Sequence, residues 1–245
     1  MKDKIIAIIP ARLKSTRLDE KLLIKIFNKS ILQHTFENVK NTDVFDEIFI
    51  AVDDEKIVDV CKKINAKYIL TSPSCPSGTA RVLSALEISK ELRDSSIVVN
   101  IQADHPKISK NTILKTIEIL KNDKTAVCST AATLIDYEKA RSVNVVKVIF
   151  DKNNTAIYFS RSLIPFSKNK EKTPYYYHIG IYAYETKFLL NEYSKLHSNL
   201  QNLEELEQLL LIENGYKIKI AVVDDLPIGV DVKDDIIKIQ QVLNT

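Results

Sequence analysis

The feature that most limits how this chain can fold is a set of unbroken apolar runs. Lys4–Ile9 carries isoleucine or alanine at five consecutive positions and is followed by Pro10, and Glu47–Val52 and Ser96–Gln102 are runs of the same type. Such runs are typical of parallel strands covered on both faces. Helical patterns lie between them, at about Ile31–Val39, Asp54–Ile64 and Thr79–Leu92. This alternation predicts an α/β fold with a doubly wound, mostly parallel (mixed) sheet.

The second half of the chain has a different pattern. Asn144–Asp151 and Thr155–Ser160 resemble longer, partly antiparallel strands, and Tyr175–Tyr184 alternates with a period of two. A helix at about Leu203–Glu213, a strand at Lys217–Val222 and a closing helix from about Lys233 complete the prediction. Because no repeat or linker interrupts the 245 residues, we expect a single domain over 1–245, with a smaller part around 144–200.

Composition restricts the functional class. The net charge of +3 is too small to indicate a nucleic-acid partner, although a local basic cluster can bind a small polyanion. The three cysteines form no CxxC pair, which argues against a disulfide framework or structural zinc and favours a reducing compartment. The first apolar run is too short for a signal peptide, and no stretch approaches the roughly 20 apolar residues of a membrane span. We therefore expect a cytoplasmic protein without a membrane partner.

The loop after the first predicted strand is the first candidate site. It carries Arg12, Ser15, Arg17 and Lys21, and it lacks the G-x-x-x-x-G-K-S/T pattern of a Walker loop. Ligands bind at the carboxyl ends of parallel strands, and arginine and lysine supply the donors and charge that a triphosphate needs. From charge alone, a solvated basic loop is an equal alternative.

Two aspartates are candidate metal ligands. Asp104 follows the most apolar strand, and Asp231 lies two places after Gly229, ahead of the closing helix. Carboxylate oxygens suit Mg²⁺. The alternatives are an aspartate that begins a turn for Asp104 and a helix N-cap for Asp231. His105 either contacts substrate or is an exposed loop histidine.

Two further groups are weaker signals. On a helix, Glu204, Glu207 and Gln208 would share one face, which is more often a solvated acidic face than a site. The segment Ser77–Arg81 begins with small residues that allow close backbone approach and ends in a cation, or it is a helix start capped by Ser77 or Thr79.

The order of these motifs is more specific than any one of them. The chain resembles the 3-deoxy-manno-octulosonate cytidylyltransferases (CMP-Kdo synthetases) over nearly its whole length. That family reads I-P-A-R-x-x-S-T-R-L-P-G-K-P-L, S-G-T-E-R and V-N-x-Q-G-D-E-P, where this chain has IPARLKSTRLDEKLL, SGTAR and VNIQADHP. Later matches are Val146–Val148, AIYFSR up to Arg161, HIGIYAY from His178, LEQL from Leu206, and Gly229–Asp231.

The resemblance implies a fold of the nucleotide-diphospho-sugar-transferase (GT-A-like) type, Mg²⁺ as cofactor, a homodimer and a role in lipopolysaccharide or capsule synthesis. The implied reaction joins CTP and 3-deoxy-D-manno-octulosonate (Kdo) into CMP-Kdo and pyrophosphate. The part around 144–200 would serve sugar binding and dimerisation, with Tyr175–Tyr184 as an interface candidate unless its tyrosines pack on their own sheet or line the pocket. The implied roles are phosphate binding by Arg12, Ser15, Arg17 and Lys21; cytosine and ribose binding by Ser77, Gly78 and Thr79; metal binding by Asp104 and Asp231; and sugar-acid binding by Gln102, Arg161, His178, Tyr182, Glu207 and Gln208.

The chain departs from the family pattern inside the motifs. Asp19 and Glu20 replace proline and glycine, and the positions of further family residues hold Ala80, Ala103, His105, Gln201 and Leu210. These changes motivate two alternatives: a cytidylyltransferase for a related 2-keto-3-deoxy sugar acid such as 8-amino-Kdo, or a catalytically weak nucleotide-binding paralogue. A GT-A glycosyltransferase is a third, but it would normally carry a DxD motif where this chain has Ala103-Asp104-His105.

Overall fold

The computed structural model describes residues 4–15, 18–230 and 232–243. Its strands are β1 (Ile5–Ala11), β2 (Lys25–Ile26), β3 (Lys29–Ser30), β4 (Glu47–Val52), β5 (Lys67–Leu70), β6 (Ile97–Ile101), β7 (Ala126–Ile135), β8 (Lys147–Phe150), β9 (Ala156–Ser160), β10 (Tyr175–Glu185) and β11 (Lys217–Val223). Its helices are α1 (Ile31–Asn41), α2 (Glu55–Lys63), α3 (Gly78–Ile88), α4 (Lys90–Arg93), α5 (Lys110–Asn122), α6 (Tyr137–Ala140), α7 (Thr186–Asn191), α8 (Leu200–Glu204), α9 (Leu209–Glu213) and α10 (Lys233–Leu243). Short 3-10 helices lie at Lys21–Leu23, Lys170–Lys172 and Tyr193–Lys195.

The chain divides into two compact units. One contains the residues up to Lys110 together with those from Pro227 onward, and the other is Asn111–Leu226. None of the helices in the described parts combines the length and apolar character that a membrane crossing requires.

The first unit is built on parallel strands in the order β6-β1-β4-β5. The isoleucines of β1 from Ile6 to Ile9 are fully buried, as are Val98 and Val99 of β6. This confirms the predicted parallel strands with two covered faces. Because β1 and β6 run the same way, the segments after Ala11 and after Ile101 emerge at one edge of the sheet.

Three helices of this unit each begin at a polar residue whose side chain caps the helix. Ser30 accepts a hydrogen bond from the backbone of Gln33 at α1, Asp54 from Lys56 at α2, and Ser77 from Ala80 at α3. A side-chain oxygen at the N-cap satisfies a backbone N–H that the helix itself leaves without an acceptor. The predicted cap at Ser77 is therefore confirmed.

The second unit is a mixed sheet. β7 lies between antiparallel β10 and parallel β11, and β8 pairs with β10 and β9. Strand β7 was absent from our sequence prediction, as were β5 and α5. Together the two units confirm an α/β fold with a mostly parallel, mixed sheet.

The predicted helix over Leu203–Glu213 is wrong. Helix α8 ends at Glu204 because Glu205 has φ of 54°, in the left-handed region, and α9 begins only at Leu209. A left-handed residue cannot continue a right-handed helix. Glu204 therefore does not share a helix face with Glu207 and Gln208, which lie in the turn between the two helices.

The tyrosines of β10 pack largely on their own sheet. Tyr175, Tyr182 and Tyr184 are buried within the second unit. The predicted period of two fails because the register against β7 shifts between Ile179 and Tyr182. These three tyrosines thus pack inside the second unit, whereas Tyr176 and Tyr177 are partly exposed.

Candidate active site

A cavity opens where β1 and β6 end, in the first unit. Its walls carry Pro10, Arg12, Lys14, Ser15, Lys21, Leu22, Gln102, Ala103 and Asp104. The structure thus brings the predicted phosphate-binding residues Arg12, Ser15 and Lys21 together with Asp104 and Gln102. The predicted residues Arg17 and Asp231 lie outside the described residues.

Lys21 and Asp104 form the central ion pair of this cavity. The Nζ of Lys21 lies 2.5 Å from Oδ2 of Asp104. Burial opposes the charge on Asp104, but the neighbouring His105 and Lys21 outweigh it and lower the pKa of the carboxyl group. Asp104 is therefore an ionised carboxylate at neutral pH, which is the state that a metal ligand requires.

His105 is not the exposed loop histidine that we considered. Its side chain is only 12% exposed, and its Nε2 lies 3.9 Å from Oδ1 of Asp104. A Cβ atom at Gly229 would lie 3.1 Å from the same nitrogen, so glycine is the residue that fits against the imidazole. The N–H of Val230 donates to the carbonyl oxygen of Asp104 at 3.0 Å. The Gly229–Val230 segment is thereby held against the Asp104 loop.

A second cavity adjoins the first along Pro10, Arg12 and Gln102. Its other lining residues are Cys75, Pro76, Ser77, Gly78 and Arg81. A Cβ atom at Gly78 would approach Nε2 of Gln102 to 3.3 Å and Cγ of Pro10 to 3.5 Å. Gly78 therefore allows the close approach that the sequence indicated. Thr79 lies deeper, fully buried, with its hydroxyl accepting from Asn100 at 3.2 Å.

The acidic residues of the basic loop do not line either cavity. The carboxylate of Glu20 is paired with Lys56 on α2, and Oδ1 of Asp19 accepts from the backbone N–H of Glu20 at 3.0 Å. Two carboxylates beside a phosphate site would oppose anion binding, and these contacts direct both of them elsewhere.

The second unit holds a largely buried polar cluster that includes four predicted residues, His178, Tyr182, Glu207 and Gln208. The hydroxyl of Tyr182 donates to Oε1 of Gln208 at 3.2 Å, and the rings of His178 and Tyr182 lie 5.5 Å apart. Nε2 of His178 is 3.0 Å from the hydroxyl of Thr130. Burial is the main cause that raises the pKa of Tyr182 well above its usual value, and the negative charge of Glu207 is the second. Tyr182 is therefore a neutral hydrogen-bond donor.

The side-chain amide of Gln208, in the same cluster, has an unpaired nitrogen. The side chain is only 2% exposed, yet its Nε2 has no hydrogen-bond acceptor among the described residues. A buried amide without a partner costs about 1–3 kcal/mol, so such groups generally mark a position where a ligand or water completes the bonding.

The backbone around Arg161 is held by hydrogen bonds with Glu204 and Lys147. Glu204 accepts from the Ser160 hydroxyl at 2.6 Å and from the Arg161 N–H at 3.0 Å, and its carbonyl oxygen accepts from Nε of Arg161 at 3.1 Å. Nζ of the fully buried Lys147 donates to the carbonyl oxygen of Arg161 at 2.6 Å. Arg161, His178, Tyr182, Glu207 and Gln208 belong to the second unit, whereas Gln102 belongs to the first.

Two residues that line the second cavity, Cys75 and Arg81, were not among the predicted binding residues. Arg81 was noted only as the cation that ends the Ser77–Arg81 segment. The closeness of both residues to Gly78 along the chain was the signal that was available. Asp53, which immediately follows β4, was also missed.

A family model matches most of the chain. The model described as Cytidylyltransferase matches residues 6–219 of the chain. This chain belongs to the cytidylyltransferase family. Within it, the chain is 41% identical to a 3-deoxy-manno-octulosonate cytidylyltransferase of Protochlamydia amoebophila, with 98% of this chain and 95% of that protein covered. It is also 41% identical to the mitochondrial 3-deoxy-manno-octulosonate cytidylyltransferase of Arabidopsis thaliana, with 99% and 84% covered.

Solved structures place the fold in the same group. A CMP:2-keto-3-deoxy-manno-octonic acid synthetase complexed with CTP superimposes with a TM-score of 0.91 at 31% identity, with 99% of each chain covered. The 4-diphosphocytidyl-2C-methyl-D-erythritol synthase of Anaerococcus prevotii shares the fold, with a TM-score of 0.65 at 21% identity and 99% of each chain covered. The predicted cytidylyltransferase family and its fold are confirmed.

Proposed function

We propose that this cytidylyltransferase is a CMP-Kdo synthetase, which joins CTP and 3-deoxy-D-manno-octulosonate into CMP-Kdo and pyrophosphate. The main structural support for this proposal is the cavity at the ends of β1 and β6. There Arg12, Lys14 and Lys21 surround the ionised carboxylate of Asp104. Such a site binds a polyphosphate through its cations.

The nucleotide spans the two adjoining cavities in this proposal. Arg12, Ser15 and Lys21 hold the phosphates, and Ser77 and Gly78 approach the cytosine and ribose. The tight contact of Gly78 with Gln102 leaves room for backbone but not for a further side chain. Arg17 and Thr79 keep the roles that the family resemblance implies for them, the first as a phosphate ligand and the second beneath the ribose.

The reaction is a direct displacement at phosphorus. The anomeric oxygen of the sugar acid bonds to the α-phosphorus, the bond from that phosphorus to the bridging oxygen breaks, and pyrophosphate leaves with its electron pair. The hydroxyl proton passes to solvent. Arg12 and Lys21 compensate the negative charge that accumulates on the leaving pyrophosphate. No covalent enzyme intermediate is needed.

Mg²⁺ is the proposed cofactor, held by Asp104 and Asp231. Asp104 fits this role because it is ionised and lies in the wall of the phosphate cavity. Bound there, Mg²⁺ would neutralise phosphate charge and orient the α-phosphate.

In the second unit, we propose that Arg161, His178, Tyr182, Glu207 and Gln208 bind the sugar acid. Gln102 of the first unit keeps the sugar-acid role that the family resemblance implies for it. The unpaired Nε2 of Gln208 supports this assignment, since a hydroxyl or carboxylate oxygen of the sugar would satisfy it. An arginine such as Arg161 can pair with the sugar carboxylate through two parallel hydrogen bonds.

An acceptor panel tests the proposal against its alternatives. Pyrophosphate release would be measured with CTP and Mg²⁺ on Kdo, 8-amino-Kdo and other 2-keto-3-deoxy sugar acids at matched concentrations. We expect Kdo to have the highest kcat/KM. Preference for another acid would move the function within the family, and no release with any acid would support the nucleotide-binding paralogue.

The assembly and location are also proposals. We propose a homodimer formed through the second unit, since Phe166 and Leu203 expose 86% and 79% of their surface there. Light scattering after gel filtration tests the homodimer: twice the chain mass supports the dimer, and the chain mass alone contradicts it.

The three cysteines are free, which suits the reducing cytoplasm that we propose as the location. A role in lipopolysaccharide or capsule synthesis follows from the product.

A further inference from the structure

Asp53 is a buried carboxylate that lines neither cavity. It directly follows β4, so it emerges at the same sheet edge as the segments after β1 and β6. Its side chain is 9% exposed. An aspartate in that position needs partners that compensate its charge, and both of its oxygens have them.

The two oxygens of Asp53 bind two different segments. Oδ1 accepts from the backbone N–H of Leu13 at 2.9 Å, and Oδ2 accepts from Nη2 of Arg81 at 2.9 Å. Leu13 lies between Arg12 and Lys14, whose side chains line the phosphate cavity. Arg81 lies in the first turn of α3 and lines the second cavity with Ser77 and Gly78.

Arg81 is itself held on its other side. Its Nη1 donates to the hydroxyl of Thr71 at 2.8 Å and to the carbonyl oxygen of Ser72 at 3.3 Å. The Thr71 hydroxyl in turn donates to the carbonyl oxygen of Val52, the last residue of β4, at 2.9 Å. With its side chain 3% exposed, Arg81 is a fixed cation rather than a mobile one.

We infer that Asp53 is a positioning residue that sets the spacing between the basic loop and the start of α3. One carboxylate fixes the backbone that presents Arg12 and Lys14, and the same carboxylate fixes the cation beside Ser77 and Gly78. The phosphates and the nucleoside of CTP are therefore held by two segments whose separation depends on Asp53. This inference rests on the proposed use of both cavities by CTP.

Asp53→Asn is the sharpest test, because it keeps the shape and removes the charge. An asparagine amide has only one acceptor oxygen, so its NH₂ group must face either the Leu13 N–H or the Arg81 guanidinium. We expect the Kd for CTP, measured by calorimetry without sugar acid, to rise by about 10- to 100-fold. The KM for Kdo at saturating CTP should change by less than about threefold, whereas a general structural defect would raise both.

The matched control is the neighbouring carboxylate. Asp54 accepts from the Lys56 N–H as the N-cap of α2, and asparagine is an equally good cap. Asp54→Asn should leave CTP affinity and thermal stability unchanged. Thr71→Val gives a second test that leaves Asp53 in place: it loosens Arg81 from the opposite side, and we expect a smaller rise in the Kd for CTP, about three- to tenfold.

A folded Asp53→Asn protein that binds CTP as the wild type does would overturn the inference, and so would equal losses for CTP and Kdo. If Asp53→Asn does not fold, unchanged CTP affinity in Thr71→Val overturns it instead. Failure of the proposed use of the cavities by CTP has a different signature, since the wild type would then show no CTP binding. Failure of the proposed reaction would leave CTP binding intact but yield no CMP-Kdo from the wild type.

Discussion

An ion pair between the carboxylate of Glu20 and the ammonium group of Lys56 joins the basic loop after β1 to helix α2. Glu20 has φ of 45°, in the left-handed region where the family pattern has glycine. The hydrogen bond and charge of Glu20 raise the pKa of Lys56. The pair thus accounts for an acidic residue next to Lys21: its charge is compensated by a lysine that takes no part in the cavity.

Lys56→Met should weaken CTP binding although Lys56 does not line the site. Without its partner, the Glu20 carboxylate is an uncompensated charge one residue from Lys21. The pair is largely exposed, so we expect only about a two- to fivefold increase in the KM for CTP, and a smaller increase at high salt. Steady-state kinetics at low and high ionic strength measures both.

The double variant Glu20→Gln with Lys56→Met is the control for this prediction. It removes the charge that Lys56 compensates, so the KM for CTP should return to the wild-type value. A double variant as impaired as Lys56→Met would show that the lysine acts in some other way.

Cys75 should report directly on nucleotide binding. It lines the second cavity, whereas Cys61 and Cys128 are buried. Burial raises the pKa of Cys61 to about 12 and that of Cys128 well above its usual range, so both remain unreactive thiols near neutral pH. We expect iodoacetamide at pH 8 to label Cys75 first, and saturating CTP to slow this labelling by about tenfold or more. Peptide mass spectrometry identifies the labelled residue.

Two comparisons make the labelling experiment decisive. Cys75→Ser should remove the fast labelling, and GTP in place of CTP should protect weakly. Labelling of Cys75 at the same rate with and without CTP would place the nucleotide elsewhere.

Gln208→Met should affect the sugar acid and not the nucleotide. It replaces the unpaired amide with a side chain of similar volume that cannot donate. Loss of one hydrogen bond to the sugar predicts about a tenfold rise in the KM for Kdo, with the KM for CTP within about twofold. If Kdo kinetics are unchanged in the folded variant, the amide is not a sugar ligand.

Tyr175→Phe should leave stability unchanged or increase it. The Tyr175 hydroxyl is buried and has no hydrogen-bond partner among the described residues, so removing it relieves an unpaired polar group. We expect a free energy of unfolding equal to or up to about 1 kcal/mol above the wild type, measured by urea denaturation. Tyr184→Phe is the matched variant, because Tyr184 is also buried but hydrogen-bonds the Cys128 thiol. It should lose about 1 kcal/mol, and equal effects of the two substitutions would contradict this account.

Much of the first unit was predictable because its pattern is local. Buried parallel strands are continuous apolar runs, and β4 was predicted with the boundaries that the structure has. The basic loop and Asp104 met in one cavity because they follow strands that end at the same sheet edge. That rule depends only on strand direction, so sequence is enough to apply it.

The second unit was less predictable because its decisive features depend on tertiary contacts. The left-handed Glu205 breaks the helical pattern predicted over Leu203–Glu213, and no glycine or proline marks the break. The prediction that Glu207 and Gln208 are site residues does not depend on that helix, because it rests on the residue types that match the family motif. Asp53 was missed because an aspartate after a strand has many ordinary explanations, and only its two contacts distinguish it.

Identification of the product by mass spectrometry shows directly whether the chain makes CMP-Kdo. Wild type and Asp104→Ala would be incubated with CTP, Kdo and Mg²⁺, with circular dichroism to show that both are folded. We predict one CMP-Kdo formed per pyrophosphate released by the wild type, and a decrease of at least about 100-fold with Asp104→Ala. Wild-type protein that binds CTP but forms no CMP-Kdo, or an Asp104→Ala variant that is fully active, would contradict the account.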